Sequence, residues 1–194
     1  MQPLLFVLVP LLAAVLCALE IHHRRARRRL ERLARTDPLT GLPNRRAWHE
    51  HLQREIARSM RYGSPVSVGL VDLDHFKVFN DRHGHQAGDR LLRALGGEAN
   101  ERLRATDLLA RYGGEEFALI LPGCPIDRAH DIVERLREGV PADQTCSAGV
   151  AMWDGRETLD DLMARADTAL YEAKRKGRNR TELAHHRRNG NSAG

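Results

Sequence analysis

Cysteine is scarce in this chain. The three present, Cys17, Cys124 and Cys146, form an odd set with no CxxC spacing. That pattern argues against a disulfide framework or a structural zinc site and for a reducing compartment. Excess basic charge is also missing from most of the sequence. The formal net charge is +5, yet residues 21–35 carry seven arginines and one glutamate, a local +6 that leaves the remainder at −1. A nucleic-acid binder rests on that charge alone and is disfavoured by the balanced body. One stretch has no charge at all, the 17 residues from Pro3 to Leu19, near the lower limit of about 17–25 for a membrane-spanning helix. No Lys or Arg precedes it, unlike the start of a secretory signal. No segment that reads as a sensor domain follows it.

These features predict a transmembrane anchor over residues 1–21, single-pass in the inner (cytoplasmic) membrane, with the arginines holding the rest of the chain in the cytoplasm. A cleaved signal or a lipid-modified Cys17 is the alternative. A basic juxtamembrane helical linker is expected over 22–36, with Ala26, Leu30 and Leu33 as a short coiled-coil seam. The body is expected over 37–181 and a disordered tail over 182–194.

Within the body, Asn44 suits a helix N-cap, followed by Trp48, Leu52, Ile56 and Met60 on one apolar face. Val66 to Asp74 reads as a buried strand that ends in two carboxylates, Asp72 and Asp74, which share a face if the strand stays extended. Oxygen ligands of that kind point to Mg²⁺ or Mn²⁺ rather than zinc. His83 and His85 form an HxH pair with no third soft ligand nearby, which is weak support for zinc. Residues 75–89 read as a polar segment leading into a helix with Leu91, Leu92, Leu95, Ala99 and Leu103 inward. The Gly96-Gly97 pair inside it weakens it by roughly 1 kcal/mol per glycine. Further on come a helix over 126–140, a strand over 145–152 and a helix over 159–176, which Gly177 caps.

The body is organised around Arg111-Tyr112-Gly113-Gly114-Glu115-Glu116-Phe117. Apolar residues on both sides predict a β-hairpin with a Gly-Gly turn. Adjacent glutamates there repel each other unless a cation lies beside them, and glycines let a bulky anion approach the backbone. From the hairpin alone, a metal- and phosphate-handling turn and a solvated acidic tip both stand open.

Taken together, several segments resemble the GGDEF diguanylate cyclase family over roughly residues 36–181. They are Asp37 to Arg46; Asp72 to Lys77 with Asn80-Asp81; Gly84-His85 and Gly88-Asp89; Arg111 to Phe117; Ser147 to Val150; and Ala173 to Asn179. The resemblance implies an α/β (α+β) fold, a central mainly antiparallel sheet wrapped by helices, like the palm of nucleotide cyclases and polymerases. It implies a nucleotidyltransferase homodimer that condenses two GTP into cyclic di-GMP and releases two pyrophosphates, with two Mg²⁺ (or Mn²⁺) per active site. By position, Asp72, the Leu73 carbonyl, Glu115 and Glu116 would be metal ligands, and Glu115 and Lys77 catalytic. Asn80 and Asp89 would read guanine, with His85 nearby. The backbone at His75 and Phe76, with Lys77, Lys174 and Arg178, would hold phosphates. Arg104 and Asp107 match the RxxD product-inhibition site, with Arg135 as partner; a helix-end ion pair is the plainer alternative. A catalytically silent GTP- or cyclic di-GMP-binding regulator is the competing reading of the whole. One departure stands out. Only seven residues separate Arg137 from Thr145, so a peripheral strand or loop of the family is expected to be missing, and Ala148 stands where Ile is usual.

Overall fold

The structure, a computed structural model, describes Glu20 and residues 35–184. The chain divides into two units, Met1–Thr36 and Asp37–Gly194, and the fold below is that of the second. Its elements are α1 (Arg45–Tyr62), β1 (Val66–Leu73), α2 (Phe76–His83), α3 (His85–Arg102), β2 (Leu108–Arg111), β3 (Glu116–Pro122), α4 (Ile126–Glu138), β4 (Cys146–Met152), α5 (Leu159–Arg175) and β5 (Thr181–Leu183). The sheet order is β2-β3-β1-β4-β5. Every neighbouring pair is antiparallel except β4 and β5, which run parallel.

Alternation along β1 builds two cores. Val66, Val68 and Leu70 face one side, where Trp48, Leu52 and Ile56 of α1 and Leu162, Ala166 and Leu170 of α5 pack. Val71 and Leu73 face the other, against Leu91, Leu92 and Leu95 of α3 and Ile132, Val133 and Leu136 of α4. Side chains two apart along a strand share a face, so Asp72 continues the α1/α5 side to the rim of the sheet.

Close approaches set the helix positions. At Gly149 of β4 an added Cβ would meet Ala166 O and Leu170 N of α5 at 2.2 Å, so only glycine lets α5 cross here. At Gly96 an added Cβ would lie 3.0 Å from Leu42 Cδ1, a milder approach to the end of a side chain that can shift. The α1 N-cap is as expected: the Asn44 side chain accepts from Ala47 N at 3.1 Å. The apolar stripe of α1 is shorter than expected, with Ser59 buried and Met60 67% exposed.

The structure departs from the sequence reading in several places. Residues 76–83, read as part of a polar segment, form α2. Thr181–Leu183, where a disordered tail was expected to begin, forms β5 along the outer edge of β4; the remaining tail, 185–194, lies outside the described residues. The short link after Arg137 suffices to join α4 to β4, turning through Ala142 and Asp143 at φ 62° and 53°. The membrane expectations are corrected as well. No helix among the described residues is long and apolar enough to cross a membrane. Residues 1–19 and 21–34, on which the anchor and the basic linker rested, lie outside the described residues. The transmembrane helix, the membrane as a partner and the single-pass inner-membrane localisation are therefore withdrawn.

Candidate active site

The sheet register brings the acidic residues to one rim. Asp72 of β1 lies opposite Glu116 of β3 on one side and Ser147 of β4 on the other. The hairpin turn bends Glu115 back over β1, where its carbonyl takes the Leu73 N–H at 3.4 Å. Asp72 is buried, and Lys174, in the last turn of α5, reaches its Oδ1 at 2.9 Å. Burial pushes the Asp72 carboxyl above its ordinary pKa, although Lys174 and Arg178 pull the other way. Glu115 is also raised, by burial first and then by the charges of Asp72 and Glu116. Two desolvated carboxylates, with the charge of Asp72 adding to the burial of Glu115, form an electrostatic well for a cation.

Glu116 is exposed, and its carboxylate lies under the turn: a Cβ on Gly113 would stand 2.3 Å from Glu116 Oε2. Among the described residues, no group of three or more His, Cys, Asp or Glu is gathered closely enough to hold a metal ion. In kind, the donors fit a hard divalent cation, being oxygen-only, partly desolvated and mutually repelling. Asp74 leaves the set expected from the sequence. The strand ends at Leu73, and the Asp74 carboxylate takes Thr145 Oγ1 and Ser147 Oγ, each at 2.7 Å.

A second group gathers at the α2–α3 junction. Asn80 is half-buried, and its Oδ1 is a buried acceptor with no hydrogen-bond partner. It points at Gly88, where an added Cβ would lie 1.9 Å from that oxygen. Asp89 is half-buried on the same helix and His85 exposed one turn earlier. The chain enters α2 through His75, at a left-handed φ of 55° and with no side-chain cap, so the first helical N–H groups have no acceptor within the helix. Phe76 is buried, stacked with Phe79 at 6.5 Å between ring centroids, while His75 and Lys77 are exposed.

The RxxD residues form a turn of their own. Asp107 Oδ2 accepts from Arg104 N at 3.1 Å, and Asp107 N donates to Arg104 O at 3.0 Å. Both Arg104 and Arg135 are exposed. The side chain that reaches α4 is Arg102, whose Nη1 donates to the Arg135 carbonyl at 3.2 Å.

Sequence reasoning named Arg111 and Asp37 without giving either a role. Arg111 Nη2 donates to Gly114 O at 2.7 Å, and its Nη1 pairs with Asp37 Oδ1 at 3.1 Å. The arginine thereby clamps the turn to the loop ahead of α1. An arginine beside two glycines, and an aspartate opening a turn-rich segment, were the available signals. On the other side, Tyr112 meets His49 Nε2 at 3.0 Å through its hydroxyl and lies under Arg45 at 4.7 Å.

A family model described as "Diguanylate cyclase, GGDEF domain" matches residues 34–180. The diguanylate cyclase DgcP of Pseudomonas aeruginosa is 46% identical over 161 residues, 78% of this chain and 24% of the relative. Diguanylate cyclase DgcM of Escherichia coli is 39% identical over 169 residues, 83% of this chain and 41% of the relative. The chain therefore spans between a quarter and two-fifths of the length of these curated relatives. Among solved structures, the coiled coil and GGDEF domain of DgcB from Caulobacter crescentus, in complex with c-di-GMP, aligns with a TM-score of 0.81 at 35% identity. That alignment covers 89% of this chain and 99% of the other. The active GGEEF domain of a diguanylate cyclase from Vibrio cholerae aligns with a TM-score of 0.70 at 31% identity, covering 75% and 99%.

Proposed function

This chain belongs to the GGDEF diguanylate cyclase family, and from that membership we propose that it condenses two molecules of GTP into cyclic di-GMP with release of two pyrophosphates. The observation that carries the reading is the meeting of Asp72, Glu115 and Lys174 at one rim of the sheet. Two like charges and a cation at a strand end suit the handling of a triphosphate better than they suit folding.

Asp72, Glu115, Glu116 and the Leu73 carbonyl would hold the divalent cations, Mg²⁺ or Mn²⁺, two per site. Such ions, when bound, neutralise triphosphate charge and make the 3′-hydroxyl easier to ionise. Asn80 offers an amide to the guanine edge, and Asp89 a carboxylate to its N–H donors. Gly88 leaves room for the Asn80 amide to take its place. The first-turn N–H groups of α2 suit phosphate oxygens, with Lys77 and Lys174 as point charges and Arg178 as a fork. Lys174 is near enough to exchange between Asp72 and a phosphate.

In the reaction, the 3′-oxygen of one GTP bonds to the α-phosphorus of the other, and the bond to the pyrophosphate oxygen breaks. The 3′-hydroxyl proton passes to the Glu115 carboxylate. The same step in the opposite sense closes the ring. Each protomer brings one GTP, so a homodimer is a condition of the chemistry. Arg104, Asp107 and Arg135 would form the site at which the product inhibits.

Incubating the purified full chain with GTP and Mg²⁺ and resolving the products by chromatography tests the proposal. Cyclic di-GMP is expected, at a rate that rises steeply with protein concentration. Absence of product at concentrations where the protein is dimeric would sink it.

A further inference from the structure

Asp74 is buried at the end of β1, two residues beyond Asp72, and the chemistry above gives it no part. Its carboxylate nevertheless accepts three hydrogen bonds. Ser147 Oγ donates to Oδ1 at 2.7 Å; Thr145 Oγ1 and the backbone N–H of Asn179 donate to Oδ2 at 2.7 and 3.1 Å. Its own N–H donates to Thr145 O at 2.8 Å. Through these three bonds the carboxylate ties together three segments distant in sequence: the end of β1, the start of β4 and the turn after α5.

That turn needs tying. Arg178 and Asn179 both sit in the left-handed region, at φ 65° and 48°, a conformation that side chains with a Cβ disfavour. The turn is held from two directions. Arg178 N donates to Ala173 O at 3.0 Å, and Asn179 Oδ1 accepts from Arg137 Nη1 at 2.6 Å. The Asp74 bond lies between these, on the backbone of the residue that follows Arg178. We propose that Asp74 is a positioning residue: by holding the Asn179 N–H it fixes the turn that presents Arg178 to the terminal phosphates of GTP. This rests on the reading of Arg178 as a phosphate-holding residue. It also accounts for the different fates of two aspartates two positions apart, one turned to the ligand and one to the turn.

Steady-state kinetics on the full chain, with GTP as substrate and GMP as competitive inhibitor, separate positioning from mere support. GMP lacks the terminal phosphates that Arg178 meets. Asp74→Ala is expected to raise KM for GTP about tenfold, the loss of one charge-assisted contact, with the inhibition constant of GMP unchanged. Where Asp74→Ala does not fold, Asp74→Ser serves, since it keeps a hydroxyl for its neighbours but is too short to reach Asn179. Asp74→Asn restores most of the affinity, because its amide oxygen can face Asn179 while Ser147 turns its hydroxyl to accept. On an Arg178→Ala background, Asp74→Ala is expected to add little to the rise in KM. Equal weakening of GTP and GMP, or effects of Asp74→Ala and Arg178→Ala that simply add, would overturn the inference and leave the phosphate role of Arg178 intact. A KM for GTP indifferent to Arg178→Ala would overturn that role and the inference with it.

Discussion

Whether Asn80 can read a base depends on the absence of one carbon atom at position 88. A methyl there would stand 1.9 Å from Asn80 Oδ1, so Gly88→Ala must push the amide aside. Alanine favours a helix over glycine by about 1 kcal/mol, which sets function against stability. Gly88→Ala is expected to raise KM for GTP roughly ten- to a hundredfold with a much smaller change in melting temperature, both measurable on one preparation. Glu115 offers the converse separation. Its carboxylate is held unwillingly beside Asp72 and Glu116, so Glu115→Gln relieves repulsion while removing the proton acceptor. Turnover is expected to fall by about a hundredfold or more, with thermal stability equal to or above that of the parent. Asn80 and Gly88 were named from the resemblance to the family, whereas Glu115 stood out in the sequence itself, because paired carboxylates are out of place in a hairpin turn. Asp74 was misread for the same reason: a carboxylate at a strand end looks alike whether it faces a cation or two hydroxyls, and Thr145 and Ser147 lie some seventy residues away.

At the scale of elements, α5 is set by its contact with β4. Backbone atoms of Ala166 and Leu170 occupy the place where a side chain of residue 149 would stand. Gly149→Ala is expected to destabilise the fold by about 3 kcal/mol, at the upper end for overpacking because backbone cannot step aside; urea unfolding reads this directly. The RxxD turn after α3 makes a different prediction. Asp107 spends its carboxylate on the Arg104 backbone and leaves the guanidinium exposed. Arg104→Ala is therefore expected to keep the turn and the initial rate while the inhibition constant for cyclic di-GMP rises, measured by adding product at the start of the assay. The long amphipathic helices and the apolar strands were legible from periodicity alone. Two short elements were not. Phe76 and Phe79 are too few to announce α2 among His, Asn, Asp and Arg, and β5 owes its place to the edge that β4 leaves available, not to any strength of its own.

At the scale of the whole domain, Asp37 and Arg111 join the first loop to the hairpin turn. Burial alone would push the Asp37 carboxyl up, but hydrogen bonds from Thr40 and the Arg111 guanidinium outweigh it and hold it below its ordinary value of 3.8. A depressed carboxyl stabilises the fold above its unfolded pKa, and this contribution is lost as pH falls through the folded value. Asp37→Asn is thus expected to cost about 2 kcal/mol at neutral pH, a gap that persists down to about pH 5 and closes below about pH 4; urea unfolding at a series of pH values checks it. The family pattern made the general architecture legible, because its motifs lie at strand ends and helix starts whose order fixes their neighbours. This long-range clamp was not, since no local rule pairs position 37 with position 111.

The two-sided alternation of β1 has a wider consequence. The odd–even pattern that sends Val68 and Leu70 into one core also delivers Asp72 to the rim beside Glu116. A slip of one residue would exchange the aspartate for Val71 or Leu73 and turn both cores inside out. Misfolded molecules would then be silent instead of half-active, and the turnover of any preparation counts correctly paired chains.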